Sequence, residues 1–256
     1  MVPFSTTKCI LTTLAFLFFG VVHAQSYEIG GWAGAINYWG DINTVSSVFD
    51  AQPAGGFVGR YNPNSRLGVE VSASHGKVLN KDDQFDNVSD YQVVRNEAFR
   101  TSTLDISVAA EFNFWDFRSQ TFPEDPFPFC PYLSAGVGFS TINPQIYLRG
   151  QRWIDAAKLD TEEEKKFSRG QVNIPLAAGV KWKLADKWNL TAEFASHLLF
   201  TDYFDDFSTT FNQFSVDNTT GGITTVNRQR GDRFKNDVYN LFGIQVTYVI
   251  PINNCP

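Results

Sequence analysis

Apolar and polar side chains alternate along much of this chain with a period of two. In residues 103–114, Leu104, Ile106, Val108, Ala110, Phe112 and Phe114 fall on one face, and Thr103, Asp105, Ser107, Ala109, Glu111 and Asn113 on the other. Successive side chains of an extended strand point to opposite faces, so this run predicts a strand with one apolar and one polar surface. Residues 188–200 repeat the pattern, with Trp188, Leu190, Ala192, Phe194, Leu198 and Phe200 set against Asn189, Thr191, Glu193, Ala195 and His197. Residues 172–184 set Val172, Ile174, Leu176, Ala178, Val180, Trp182 and Leu184 against Asn173, Pro175, Ala177, Gly179, Lys181 and Lys183. Residues 240–250 place Phe242, Ile244, Val246, Tyr248 and Ile250 on one side and Gly243, Gln245 and Thr247 on the other. Weaker versions occupy residues 27–39, 54–61, 66–75 and 131–140, which brings the expected total to about eight strands.

Strand length and the chemistry of the polar face choose between two architectures. Globular strands average about five or six residues, whereas a tilted membrane-spanning strand needs about 9–11. The clearest runs here are of the longer kind. A soluble sandwich turns its apolar face inward, and an outer-membrane barrel turns it outward. The polar faces are rich in Gly, Ala, Ser and Thr, with a few charges at Glu70, Asp105, Glu111, Lys181, Lys183 and Glu193. Small residues with a few opposed charges suit the narrow interior of an eight-stranded barrel, and a water-facing surface would carry more Lys and Glu. The expected fold is therefore all-β: an eight-stranded antiparallel up-and-down transmembrane β-barrel.

The connections agree. Short links fall at Asn62-Pro63-Asn64-Ser65 and Leu184-Ala185-Asp186-Lys187, with a medium Pro-rich link at 117–127. Longer polar links run over 77–100, 141–170 and 201–236, with an intermediate one at 39–53, so long and short alternate. Outer-membrane barrels have short periplasmic turns and long extracellular loops, which places both mature termini in the periplasm. Aromatics near strand ends (Trp39, Tyr61, Trp115, Phe117, Trp182, Trp188, Phe200, Tyr203, Phe204 and Tyr248) fit interfacial girdles.

The N-terminus reads as a secretory signal peptide. Lys8 precedes an apolar stretch over 10–22 that ends in Val22-His23-Ala24, a small-x-small cleavage pattern. That stretch is too short to cross about 30 Å of hydrocarbon as a helix. The expected division is a signal peptide over 1–24 and one barrel domain over 25–256, with no linker between domains. No cysteine follows the cleavage site, so a lipoprotein signal is not expected. Loss of Lys8 takes the net charge from −6 to −7, and no basic run exists, which argues against a nucleic-acid partner. The partner expected from the pattern itself is outer-membrane lipid.

Chemistry is sparse. No G-x-S-x-G, Walker loop, H-E-x-x-H or paired CxxC occurs, so no enzyme activity and no cofactor are expected. His75 and His197 read as polar residues near a barrel rim. Gly30-Gly31 and Gly55-Gly56 lie within strands and suit curvature and tight packing. The charges of the polar face admit two readings, an ion path or pairing within a filled lumen. The second is preferred, because a buried charge needs a partner and eight strands leave room only for side chains. Asp202, Asp205 and Asp206 are a weak Ca²⁺ candidate, with a capped rim turn as the preferred alternative. Residues 160–166 predict a short helical start inside a loop, with Asp160 or Thr161 as its cap. Cys9 leaves with the signal peptide. Cys130 and Cys255 both fall on the periplasmic side, where a disulfide would tie the tail to the barrel base; an unbonded pair is the alternative.

The chain resembles the PorG proteins of the type IX secretion system of Bacteroidetes. The resemblance lies in an ordered set of stretches through the mature chain. Tyr27-Glu28-Ile29-Gly30-Gly31-Trp32 is followed by Tyr38-Trp39-Gly40-Asp41, then Glu111-Phe112-Asn113-Phe114. Pro131-Tyr132-Leu133-Ser134-Ala135-Gly136-Val137-Gly138 and Ile174-Pro175-Leu176-Ala177-Ala178-Gly179-Val180-Lys181 come next. Trp188-Asn189-Leu190 leading to Glu193, with Thr201-Asp202-Tyr203-Phe204-Asp205-Asp206 after it, is the most specific stretch. The resemblance implies an outer-membrane barrel that is a non-catalytic component or anchor of the secretion apparatus, associated with periplasmic ring proteins of the PorK and PorN type. It supplies no catalytic residues. The alternative is a general small outer-membrane barrel that stabilises the envelope or binds extracellular ligands through its long loops.

Overall fold

The computed structural model describes residues 26–39, 51–81, 98–117, 128–147, 153–155, 169–200, 211–212, 215–216, 223–224, 228–229 and 237–252. Eight long strands make the body of the fold: β1 (Ser26–Trp39), β2 (Gln52–Asn62), β3 (Leu67–Lys81), β4 (Ala98–Asn113), β5 (Phe129–Tyr147), β6 (Gly170–Ala185), β7 (Trp188–Leu199) and β8 (Val238–Pro251). Each pairs antiparallel with its neighbours in sequence. β1 then closes the ring on β8, with Ser26 opposite Pro251 and Trp39 opposite Val238. The eight-stranded closed antiparallel barrel expected from the alternation is the fold observed. A short strand, Trp153–Asp155, extends the sheet at the far end of β5. Two small ladders, Phe211–Asn212 with Arg228–Gln229 and Ser215–Val216 with Ile223–Thr224, lie between β7 and β8 in sequence.

The barrel is inverted relative to a soluble β protein. Phe57, Val137, Ile29 and Ile106 stand on the outer wall at 77%, 65%, 57% and 56% exposure. Arg60, Glu111, Lys181 and Thr247 are buried inside. An apolar outer wall around a polar lumen is stable only against lipid, and the closed ring leaves no unpaired edge in the hydrocarbon. The fold is that of an outer-membrane-type barrel.

Two glycines explain how the seam between β1 and β8 closes so tightly. A Cβ on Gly30 would sit on the carbonyl of Val246 and 2.8 Å from the Thr247 Cα. One on Gly34 would meet the Phe242 carbonyl and lie 2.5 Å from the Cα of Gly243, its register partner. No other residue type permits this approach.

Short connections gather at one end. In the β2–β3 turn, Asn64 Oδ1 accepts hydrogen bonds from the amides of Arg66 at 2.9 Å and Leu67 at 2.8 Å, an Asx-type closure. Asp186 and Lys187 form the β6–β7 turn. The start of the β4–β5 connection is tied to the β2–β3 turn by Phe117 N donating to Ser65 O at 3.1 Å. The barrel's first and last strands also begin and end here. The strand ends that the four longer connections join, from Trp39 to Gln52 round to Leu199 and Val238, lie at the opposite, loop end.

β3 and β5 run further than their sequence patterns suggested, to Lys81 and Tyr147 instead of to 75 and 140. The cause is a reversal of polarity. Toward the loop end the inward positions become apolar, and Ile36, Tyr38, Val78, Ile142, Leu199, Tyr239 and Leu241 form a buried plug in the lumen. The outward positions become polar, as at Lys77 and Asn143. Alternation persists through the reversal, but the expected faces change places.

Candidate functional site

The turn-end half of the lumen holds a charged network to which every barrel strand contributes at least one side chain. These are Glu28 of β1, Arg60 of β2, Glu70 of β3, Glu111 of β4, Tyr132 of β5, Lys181 of β6, Glu193 of β7 and Gln245 of β8. Arg60 is its hub. Its Nε donates to Glu111 at 2.9 Å, Nη1 to Glu28 at 3.2 Å, and Nη2 to Glu70 and, at 3.0 Å, to Gln245 Oε1. Lys181 Nζ donates to the other Glu111 oxygen at 2.7 Å and lies 4.7 Å from the centre of the Tyr132 ring. Glu28 also accepts from Asn62 at 2.8 Å and Thr247 at 2.7 Å. Glu193 accepts from the Tyr132 hydroxyl and, at 3.1 Å, from Gln245 Nε2. The planar guanidinium meets these acceptors with five donors in a fixed fork, against three on a Lys ammonium. Buried charges persist when paired in this way.

Four of the six charges expected in the lumen, Glu70, Glu111, Lys181 and Glu193, are thus brought together. Lys183 is half-buried at the base, 5.4 Å from the centre of the Phe117 ring. Phe117 departs from the expected girdle: it turns inward, is 4% exposed, and covers the lower end of the network. The girdle itself is present at the turn end. There Tyr27 packs on Tyr61 at 5.1 Å between ring centres and Trp188 on Tyr248 at 5.2 Å. Tyr203, Phe204 and the side chain of Trp39 lie outside the described residues.

Asp105 belongs to a second network nearer the loop end. Its Oδ2 accepts from Ser140 Oγ at 2.7 Å, Asn173 Nδ2 at 2.6 Å and the Tyr239 hydroxyl at 3.0 Å. His197 is buried beside it and not at a rim. Its ring stacks on Tyr239 at 4.6 Å between centres, with Nδ1 3.2 Å from Asn173 Oδ1 and 3.7 Å from Asp105 Oδ1. Ser, His and Asp therefore meet here without the geometry of a hydrolytic triad. The serine hydroxyl points to the carboxylate and the histidine to an amide, while a triad needs the histidine on the hydroxyl. The arrangement joins strands β4 to β8 to one another. His75, in contrast, faces outward, with Nδ1 2.8 Å from the Thr103 carbonyl oxygen.

Between the networks lies a cavity of about 30 Å³, lined by Glu70, Ser74, Glu193, His197 and Gln245 among others. A water needs about 10–15 Å³ on this measure, so the space holds a few waters and no larger ligand. Among the described residues, no group of three or more His, Cys, Asp or Glu is placed to hold a metal ion. The Asp202, Asp205 and Asp206 cluster lies outside the described residues, as do the 1–24 leader and the 160–166 segment. Cys130 is buried at the start of β5 with its thiol against the carbonyls of Trp115 at 3.4 Å and Pro131 at 3.2 Å. Cys255 is outside the described residues.

The residues missed from sequence were legible by parity. Glu28 sits between Tyr27 and Ile29, and Arg60 lies one position before Tyr61. All three hydrophobic neighbours face outward, so a strict period of two puts the charges inside. Gly55, Gly56 and Gly59 before Arg60 weakened the pattern around it.

The chain is similar to several solved barrels. Neisserial surface protein A shares 13% identity over 87% of this chain and 96% of its own, with a TM-score of 0.46. OprG from Pseudomonas aeruginosa shares 11% over 89% of this chain and 97% of its own, with a TM-score of 0.42. The N-terminal β-barrel domain of OprF from the same organism shares 10% over 89% of this chain and 100% of its own, also at 0.42. No curated protein sequence matches the chain. One family profile, described as a domain of unknown function, DUF6089, matches residues 7–255. That span covers the whole barrel, and the chain belongs to the DUF6089 family.

Proposed function

We propose that this protein is a non-catalytic outer-membrane component, or anchor, of a type IX protein secretion apparatus. The observation that carries this reading is a filled and cross-braced lumen. Arg60 ties three carboxylates from three strands, and the apolar plug around Ile142 and Leu199 closes the loop end. A barrel built this way offers fixed rims, and a fixed rim suits holding a machine in place better than passing solutes. The ordered resemblance to PorG sequences supplies the identity of the machine. In that role the short turns face the periplasm, where ring proteins of the PorK and PorN type are the partners. Deleting the gene and measuring secretion of cargo bearing a C-terminal sorting signal tests the reading. Secretion should fall, and unchanged secretion would sink the proposal.

A second reading rests on the long connections at the loop end. A small outer-membrane barrel with four such links is equally built to stabilise the envelope or to bind extracellular ligands. Shortening the 201–236 link separates the two: loss of surface binding with normal secretion favours this second role.

A further inference from the structure

Among the described residues at the loop end, positive charge on the outer wall of the barrel falls in one sector. At the loop end, the described outward positions of β1, β2, β7 and β8 are Ala35, Asn37, Pro53, Leu198 and Asn240, none of them ionisable. On β3 and β4 the corresponding positions are His75, Lys77 and Arg100, all exposed, with the half-buried Leu79 and Ser102 between them. Arg169, 54% exposed, follows on the approach to β6 and is paired to Asp155 at 2.6 Å. Lys77 lies opposite Ser102 in the register and Arg100 opposite Leu79, so the two cations are diagonal neighbours across one strand pair. Such positions are about 7–8 Å apart, within reach of long side chains that converge on one anion.

The height of this strip on the wall identifies what it meets. Arg100 is twelve residues along β4 from Phe112, which lies opposite Leu67 at the turn end. At about 3.3 Å per residue and a tilt of about 40°, that is roughly 30 Å along the barrel axis. Lys77, level with Ser102, is roughly 25 Å up on the same reckoning. The apolar band of such barrels is about 25 Å tall. On this strand pair the last strongly exposed apolar side chain is Leu104, 48% exposed and level with His75; Lys77 and Arg100 lie beyond it, with Leu79 half-buried opposite Arg100. Arg100 is also held in place. Its Nε donates to Gln145 at 2.6 Å and its guanidinium lies 4.6 Å from the Trp153 ring centre. One of five N–H donors is used in the Gln145 bond, and the rest of the fork suits a phosphate.

We propose that Lys77 and Arg100, flanked by His75 and Arg169, form a docking strip for the phosphate groups of the glycolipid that builds the outer leaflet. The inference rests on the outer-membrane reading, with the loop end outward. It assigns one sector of the wall to an ordered lipid and leaves the remaining sectors to exchanging lipid.

The full mature protein folded in detergent is incubated with bis-phosphorylated lipid A or with its dephosphorylated form, and the lipid retained per barrel is measured by native mass spectrometry. The wild type should retain the phosphorylated form by roughly tenfold or more over the other. K77Q/R100Q should lose that preference, K77R/R100K should keep it, and K187Q at the turn end should behave as wild type. Equal retention of both lipids by the wild type overturns the proposal. So does an undiminished preference in a K77Q/R100Q barrel that still shows the heat-dependent gel mobility of a folded barrel. Complete displacement of the lipid by millimolar inorganic phosphate would instead identify a free-anion site and overturn the lipid assignment. Failure of the wild type to insert into phospholipid vesicles is a separate result and strikes the membrane reading itself.

Discussion

Replacing Arg60 by methionine tests whether the lumenal network holds the barrel together. The side chain is fully buried and makes ion pairs to Glu28, Glu70 and Glu111. Four carboxylates and two cations make up the network, a formal charge of −2, and R60M takes it to −3. Glu111 keeps Lys181 at 2.7 Å, while Glu28 and Glu70 each lose the ion pair to Arg60. Removing one partner of a buried pair costs about 3–5 kcal/mol, against a total stability of about 5–15 kcal/mol for native proteins. With a urea slope toward the upper end of about 1–3 kcal/mol per molar, the unfolding midpoint in lipid vesicles should fall by about 1–2 M. Tryptophan fluorescence follows the transition, and cold-gel mobility confirms the folded form. Adding E28Q and E70Q to R60M removes the stranded charges and should restore at least half of the loss. An R60M midpoint within about 0.3 M of wild type would refute the reasoning, because the stranded carboxylates would then be solvated and not buried.

Three further outcomes follow from the wall, the seam and the lumen. Val108 faces lipid near mid-height and is 45% exposed, so V108R should cost about 2–4 kcal/mol in vesicle unfolding; a change below about 0.5 kcal/mol would mean that this face does not meet hydrocarbon. G34V drives a side chain into the Phe242 carbonyl and Gly243 and should prevent closure of β1 on β8, seen as loss of the heat-dependent gel shift, while the outward neighbour A35V should fold normally. Planar-bilayer recordings of the wild type should show no conductance steps, since the plug around Ile142 and Leu199 closes the lumen; regular steps would contradict the filled-lumen reading.

The alternation in β4, β6, β7 and β8 made the barrel legible because one face is uniformly apolar where it meets lipid. Residues such as Leu104, Leu176, Phe194 and Ile244 needed no context to be assigned. The pattern failed where the solvent changes. Beyond the hydrocarbon, Val78 and Ile142 turn inward as Lys77 and Asn143 turn out, so a rule keyed to apolar-out loses the strand although the period persists. The site was half legible for a different reason. Glu111 and Lys181 stand out on polar faces, but the second cation on Glu111, Arg60, sits 51 residues from it in a glycine-rich strand. The association of Asp105 with Tyr239 spans 134 residues. Parity places such residues in the lumen, yet only the register of all eight strands sets their height, and height decides who meets whom. Phe117 shows the same limit: its aromatic character suits the girdle, and only the turn geometry directs it to the base.

The brace at the turn end gives the anchoring proposal a mechanical content. Arg66 Nε donates to Asp116 at 2.5 Å, and its Nη1 donates to the Phe114 carbonyl at 2.6 Å, while Phe117 N donates to Ser65 O. These bonds join the β2–β3 turn to the start of the β4–β5 connection. Exposed ion pairs contribute little stability alone, but this one is accompanied by backbone bonds from Asn113 and Phe117 that fix the β2–β3 turn against the end of β4. Just above it, the Arg60 network ties all eight strands at one level. A partner seated on the β2–β3 turn would therefore meet a braced surface, which reduces the ordering cost of association. A photo-crosslinker placed at Asn64 or Lys187 should then capture ring proteins of the PorK and PorN type in cells. The same probe at Pro53, outward at the loop end, should not. Capture from Pro53 alone would reverse the assigned orientation, and capture from neither turn in secreting cells would remove these turns as the docking surface.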